Sequence, residues 1–381
     1  MKKYIATIVT VLIITVLSLF TFPSPFNNPD TSKKEVNEHT LKASATIFKE
    51  FHSSITMGAI GDVLIHRPVY QDAKIKDGVY DFKPMLRNVK DVLSKPNFTI
   101  ANQESMIGGT EIGLSSYPTF NSPFEVADAL KDAGVDLVTI ANNHTLDRGE
   151  KAIYNAISHY EKIGMHYVGG HKSHEDRETL RIINVNGIKL GFLSYTYGTN
   201  GIPVPKDKPY FVNLIDRQKM KEDISKMKGK VDVIVANMHW GLEYQPFPSN
   251  EQKELARFLA NEGVHVIVGH HPHVLQPMDW IENDKGEKSI VIYSLGNFLS
   301  AQVGNGKDIG GIFQLEIEKK YDGEKTIITL RNPQLIPTYV SSQNMRNYEI
   351  HLLKEINQTK YKEVLQHMNQ WLDKKESTFI H

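Results

Sequence analysis

The sequence predicts an α/β layered fold with mixed sheets, preceded by one N-terminal transmembrane helix. Three observations predict it. From Ile55 onward, in a chain of 381 residues, short apolar runs alternate with helical patterns, as happens when helices cover sheets. Several of the runs are near-continuous in Val, Ile and Leu, which suits strands buried on both faces. The opening stretch from Tyr4 to Phe22 has no charged residue and approaches the roughly 20 residues that cross a hydrocarbon core.

Taken in order, Lys2 and Lys3 precede that apolar run, and by the positive-inside rule they stay in the cytoplasm. The run ends Phe20-Thr21-Phe22-Pro23 without a small-x-small cleavage pattern. That favours an uncleaved signal anchor over a removed signal peptide, with the rest of the chain outside the cell. Residues 23–54 are expected to be an extracellular linker. They carry Pro23, Pro25, Pro29, Asn27 and Asn28, then Lys33, Lys34, Glu35 and Glu38, and few core formers. The main domain is expected over 55–340.

Its predicted strands are Ile55–Ile60, Phe98–Ala101, Leu137–Ala141, Leu190–Tyr195, Val231–Met238, Val264–Val268 and Ile290–Ser294. Predicted helices cover Phe82–Leu93, Phe124–Ala133 behind Ser122-Pro123, Glu150–Ile163 before Gly164, and Asn250–Asn261 before Gly263. Thr179–Val185 and Lys189–Tyr195 flank Asn186-Gly187, a hairpin signature. Gly311–Ile317 and Thr326–Leu330 read as a second antiparallel pair, which makes the sheets mixed. Residues 341–381 read as a C-terminal helical extension, with a polar helical pattern from Tyr348 to Lys374.

Composition narrows the chemistry. Lys plus Arg and Asp plus Glu both number 44, so the net charge is zero, and the basic footprint of a nucleic-acid binder is missing. There is no cysteine, which excludes disulfides, thiolate metal sites and a cysteine nucleophile. Neither a Gly-x-Ser-x-Gly elbow nor a phosphate-binding Gly-x-x-x-x-Gly-Lys loop occurs.

What stands out is the residues that follow each buried run. The first ends Gly61-Asp62, with His66 four positions on. The second ends Asn102-Gln103-Glu104 and the third Asn142-Asn143-His144. Later runs end His239-Trp240-Gly241, Gly269-His270-His271-Pro272-His273 and Ser294-Leu295-Gly296-Asn297-Phe298. Ligands of open α/β sheets bind beyond the carboxyl ends of strands, and six of the 16 histidines fall in these segments. Imidazole, carboxylate and amide donors suit manganese, zinc or iron. A histidine that is not a ligand can protonate a leaving oxygen. Taken singly, Gly61-Asp62 also reads as a turn, and His66 and Glu104 as solvated side chains; Gly269–His273 is the most specific segment. His159, His166, His171 and His174 lack a carboxylate pattern and read as ordinary structural histidines. Ser294 could be argued as a nucleophile, but Gly296 and Asn297 read better as a turn shaping the pocket.

These segments, in this order, resemble the CapA (PgsA) family of capsule and poly-γ-glutamate biosynthesis proteins, a branch of the calcineurin-like metallophosphoesterases. The resemblance is carried by Gly-Asp-Val-Leu-Ile-His at 61–66, Asn-Gln-Glu at 102–104, Ala-Asn-Asn-His at 141–144, His-Trp-Gly at 239–241, Gly-His-His-Pro-His at 269–273 and Tyr-Ser-Leu-Gly-Asn-Phe at 293–298. It implies a four-layer α/β/β/α metallophosphoesterase-like sandwich. It implies Asp62, His66, Glu104, Asn143, His239, His271 and His273 as ligands of one or two divalent ions. His144 would be the acid near the leaving group, with Asn142, His270 and Asn297 as further members. Two departures mark this chain: His66 lies four positions from Asp62, where the superfamily has Asp-x-His, and Glu104 stands for the bridging aspartate.

The implied function is a membrane-anchored extracellular protein of capsule or poly-γ-glutamate biosynthesis with a metal-binding, phosphoesterase-like site. Expected partners are the membrane, membrane-bound polymer synthase subunits and an anionic polymer or cell-wall substrate, with no nucleic acid. Two other readings are a non-catalytic scaffold or polymer-guiding subunit, and a cell-wall remodelling metallohydrolase unrelated to capsule.

Overall fold

The computed structural model describes residues 50–372 and 376–380. The predicted anchor at 1–22 and the linker up to residue 49 lie outside the described residues. Among the described residues no helix is long and apolar enough to cross a membrane.

Two mixed sheets form the body. The first has nine strands. Along it run Arg346–Leu352, Thr326–Gln343, Ile309–Tyr321, Phe51–Leu64, Phe98–Gln103, Leu137–Thr139 and His166–Val168. Asn297–Ser300 joins the end of Phe51–Leu64 in parallel, and Glu376–Ile380 pairs with Thr326–Gln343. From Phe51–Leu64 to His166–Val168 the pairing is parallel; on the other side it is antiparallel. The second sheet runs Leu275–Glu282, Lys288–Leu295, Val266–His270, Val233–His239, Ile188–Thr196 and Arg181–Val185. Its inner four strands are parallel and both edges antiparallel.

Side-chain alternation decides the layering. Val233, Val235, Val266, Val268, Ile290 and Ile292 join Met57, Ala59, Phe98, Ile100, Phe313 and Leu315 in one core between the sheets. The alternate residues Ile234, Ala236, Met238, Ile267 and Val291 face outward and pack with the helices Arg217–Met227 and Asn250–Asn261. On the far face of the large sheet, Ile60, Ala101, Val138 and Ile140 pack against Glu125–Asp132 and Gly149–Ile163. Both faces of both sheets are thus covered, which is why the strand sequences read as continuous apolar runs.

The predicted hairpin forms, with Asn186 and Gly187 both at positive φ (49° and 85°), as its tight turn requires. The second predicted antiparallel pair also forms and is longer than expected. Three readings need correction. The first strand begins at Phe51, inside the expected linker. Phe82–Leu93 is two short helices, Lys83–Leu86 and Lys90–Leu93. Between them the amide of Asn88 turns out to His351, 3.2 Å away. The helical reading of Tyr348–Lys374 holds over Gln358–Asn369, but Arg346–Leu352 is a strand. There Tyr348 and Ile350 are buried at a period of two, not at a helical spacing.

Candidate metal centre

The parallel strands of both sheets point their carboxyl ends to one place, and the polar segments meet there. Phe51–Leu64 shifts register beside Asp62 against both neighbours. Such a bulge re-aims a side chain, and Asp62 is fully buried. Its Oδ1 accepts from Asn102 Nδ2 at 2.8 Å. Its Oδ2 lies 3.1 Å from His273 Nδ1 and accepts the His271 backbone N–H at 3.3 Å. Glu104 follows the next strand and its N–H is held by Val63 O at 3.1 Å.

From the other sheet, the loop after Val266–His270 places His271 and His273 at φ 96° and 59°. Non-glycine residues in this region store on the order of 1–3 kcal/mol each, and here they turn both imidazoles inward. The ligand atoms of Glu104, His271 and His273 all lie within 4.8 Å of one another. His239 adjoins this set: Nε2 is 3.5 Å from Glu104 Oε1 and 2.8 Å from Asn143 Oδ1. Its ring lies 4.8 Å from that of His271.

The set has unspent bonding capacity. Both oxygens of Glu104, both ring nitrogens of His270 and Nδ1 of His271 are buried without a hydrogen-bond partner. Orphans of this kind are costly in a native interior. Their protonation is equally skewed. Burial, with Asp62 nearby, holds Glu104 well above the usual carboxylate range. Burial and neighbouring imidazoles push His271 down to about 3, and His239 well below its usual value. Burial opposes charge on His273, but Glu104 and Asp62 raise it to about 9. Burial likewise opposes ionisation of Asp62, yet His270 and His273 hold it well below the carboxylate range. A divalent cation would satisfy the orphaned atoms and favour ionised Glu104 with neutral imidazoles. The residues therefore fit a metal of the nitrogen–oxygen class.

The remaining predicted residues fall around this core. Asn143 bridges His239 and Asn200, the latter at 3.2 Å. His144 lies alongside, its Nδ1 2.7 Å from Asp147 Oδ2. Asn142 shapes the loop: its amide donates to Gln103 O and its oxygen accepts from His144 N–H, both at 2.9 Å. His270 Nδ1 is 3.5 Å from Asp62. Asn297 Oδ1 is 3.0 Å from His273 Nδ1, while its amide donates to Lys307 O at 2.8 Å. His66 stands at the edge. Its Nδ1 faces Leu64 O at 3.0 Å, its ring edge meets Phe120, and burial lowers it to about 4. Ser294 Oγ accepts Gly296 N–H at 3.2 Å within the buried turn, as a turn-shaping residue does.

Sequence reasoning missed three residues, Asp147, Tyr197 and Asn200, and named Asn102 in a strand-end segment without a role. Asp147 had a legible signal, a carboxylate three positions after His144 in a turn. Tyr197, whose ring lies 4.7 Å from that of His271, and Asn200 come from the other sheet and left none. The histidines read as structural lie apart from this set, but not without carboxylates: His159 Nε2 is 2.8 Å from Asp128, and His171 Nδ1 is 4.0 Å from Asp176.

Comparison with known proteins places this geometry in context. Over 276 residues the chain is 30% identical to the capsule biosynthesis protein CapA of Bacillus anthracis, covering 68% of this chain and 63% of that protein. Over 228 residues it is 27% identical to the PGA biosynthesis protein CapA of Bacillus subtilis (strain 168), covering 59% of this chain and 58% of that one. The chain thus spans less than two thirds of either relative. A crystal structure of a hypothetical protein from Thermus thermophilus aligns with a TM-score of 0.41 at 16% identity, over 78% of this chain and 97% of the other. The family model described as bacterial capsule synthesis protein PGA_cap matches residues 56–302, a span that runs from the first strand through every segment of the centre; the chain belongs to that family.

Proposed function

We propose that this protein acts in the biosynthesis of capsule or poly-γ-glutamate, and that it does so with a divalent metal held at the strand ends of a metallophosphoesterase-like α/β/β/α sandwich. Glu104, His271 and His273 hold the metal, with Asp62, His239 and Asn143 beside them. The observation that carries the reading is the buried convergence of those three ligand atoms within 4.8 Å among orphaned donors. Such an ion supplies Lewis acidity toward a phosphoryl or carbonyl oxygen. The substrate class is a cell-envelope phosphoester or an amide-linked anionic polymer. Residues 1–22 anchor the protein so that this domain works outside the cell, beside membrane-bound synthase subunits.

His144 supplies the proton. Asp147 Oδ2, which also accepts Phe120 N–H at 2.6 Å, holds His144 Nδ1 and leaves Nε2 for the site. In Asp147→Asn, metal content should be unchanged while metal-dependent phosphodiesterase turnover falls about 10- to 100-fold, as when an orienting partner is lost. Unchanged turnover would remove His144 from this role.

The direct test is metal analysis of the purified protein, followed by a phosphodiesterase assay with added manganese. No bound metal and no metal-dependent activity would overturn the proposal. Metal uptake should also release protons, since ligands bind deprotonated. His273, raised to about 9, carries a proton in the metal-free protein at neutral pH, and burial holds Glu104 above its usual range. Manganese affinity should therefore rise as the pH approaches about 9, with proton release seen as a buffer-dependent binding enthalpy. A pH-independent affinity would contradict this.

One observation favours a second reading, a non-catalytic polymer-guiding subunit. No side chain of Asp62, Glu104, His239, His271 or His273 is more than 4% exposed, and closed sites are the structural kind. Complementation with His144→Ala separates the two readings. Full polymer output favours the guide, and lost output at normal protein level favours chemistry.

A further inference from the structure

Beside the metal centre, two loops bring an acid and a base, Glu243 and Lys307, to the same tyrosine. Tyr244 hangs at the mouth: its N–H donates to Pro272 O at 2.7 Å, and its ring lies 6.1 Å from that of His273. The residue is 44% exposed. Glu243 is exposed, with its carboxylate hydrogen-bonded to the Tyr244 side chain. Lys307 Nζ lies 5.1 Å from the ring centroid. The Lys307 backbone is fixed to the centre through Asn297, at 2.8 Å. Among the described residues neither Glu243 nor Lys307 forms an ion pair, with each other or with any other group. Tyr244 also lines a neighbouring cavity of about 430 Å³, walled by Val274, Leu275 and Ile309 and by Lys360, Glu363 and His367.

An acid and a base that both touch one exposed aromatic, and are not ion-paired together, complement a zwitterion. Neither an anion nor a cation alone would use both. We propose that Glu243, Tyr244 and Lys307 form a subsite for an α-amino-acid end group. Glu243 takes the α-ammonium, Lys307 takes the α-carboxylate, and the methylenes lie against the Tyr244 ring. Within the polymer reading, on which this rests, one residue of a γ-linked glutamate chain has both groups free: the amino-terminal one. Interior residues keep only the α-carboxylate. The subsite therefore selects the chain end and sets it beside the metal centre.

The test uses the full-length protein loaded with manganese and three γ-linked triglutamate probes: unmodified, N-acetylated, and amidated at the α-carboxylate of the amino-terminal residue. Calorimetry should give affinities roughly ten-fold lower for each modified probe, the loss of one charge-assisted contact. Glu243→Gln should erase the preference for the free amine, and Lys307→Gln the preference for the free α-carboxylate. Equal affinity of all three probes for the unaltered protein overturns the subsite and leaves the polymer reading standing. No affinity for any probe overturns both. The probe comparison needs no variant, so a substitution that fails to fold does not remove the test.

Discussion

The double substitution His271→Ala, His273→Ala is expected to weaken divalent-metal binding by well over 100-fold and to abolish any metal-dependent activity. Loss of a residue that merely orients a ligand costs about 10–100-fold in affinity; here two of the three converging ligands go. What remains is Glu104, buried and held above its usual range, with His239 3.5 Å away and Asp62 and Asn143 farther round the centre. Only one of the three converging ligands is left, where a site is usually built from at least three protein ligands. The variant should still fold, since it removes one buried orphan nitrogen and keeps the His271 backbone N–H bond to Asp62. Metal titration and thermal melting on the same preparation check both halves. Tight metal binding by the double variant would place the ligands elsewhere.

Gly269→Ala should be the most destabilising small change near the site. A Cβ there would sit 2.0 Å from Tyr293 O and 2.6 Å from Trp240 Nε1. The contacted oxygen belongs to the neighbouring strand and already accepts the indole N–H at 2.9 Å. No side-chain rotation relieves that clash; the strands must move apart. Overpacking typically costs about 1–3 kcal/mol, and the backbone contact puts this case at or above about 3 kcal/mol. Urea unfolding should show a lowered midpoint with an unchanged slope. A midpoint equal to that of the unaltered protein would mean that the close approach of the two strands is not needed. Gly61 makes the equivalent approach in the other sheet, where a Cβ would lie 2.0 Å from Gly296 O.

Both glycines stand one residue before a polar residue of the centre, and this explains what could be read in advance. Strands buried on both faces concentrate Val and Ile, so runs such as Val266–Val268 announce themselves. Where such a run stops at Gly-His-His-Pro-His, a buried site is expected, because imidazoles there need partners. The C-terminal strand was less legible. Tyr348 and Ile350 alternate over too short a span to outweigh the polar residues around them, and their burial depends on pairing with Thr326–Gln343.

By itself the sequence determined the α/β class, the mixed sheets, the Asn186-Gly187 hairpin and the set of polar segments at strand ends. These follow from local rules: period, turn chemistry and the desolvation of polar groups. Only the tertiary structure decided which of those residues converge. Glu104 comes from one sheet and His271 and His273 from the other, and the His271 N–H bond to Asp62 closes a separation of 209 residues. Packing of the sheets sets those distances, so it separates Glu104, His271 and His273 from Asn142, whose amide is used up on Gln103 O and the His144 N–H. It also brings Tyr197 and Asn200 across to the centre, and sets Lys307 against Tyr244 with no sequence pattern joining them. Spacing along a chain fixes neighbours only within a turn or a strand; beyond that range, contact depends on how the layers are stacked.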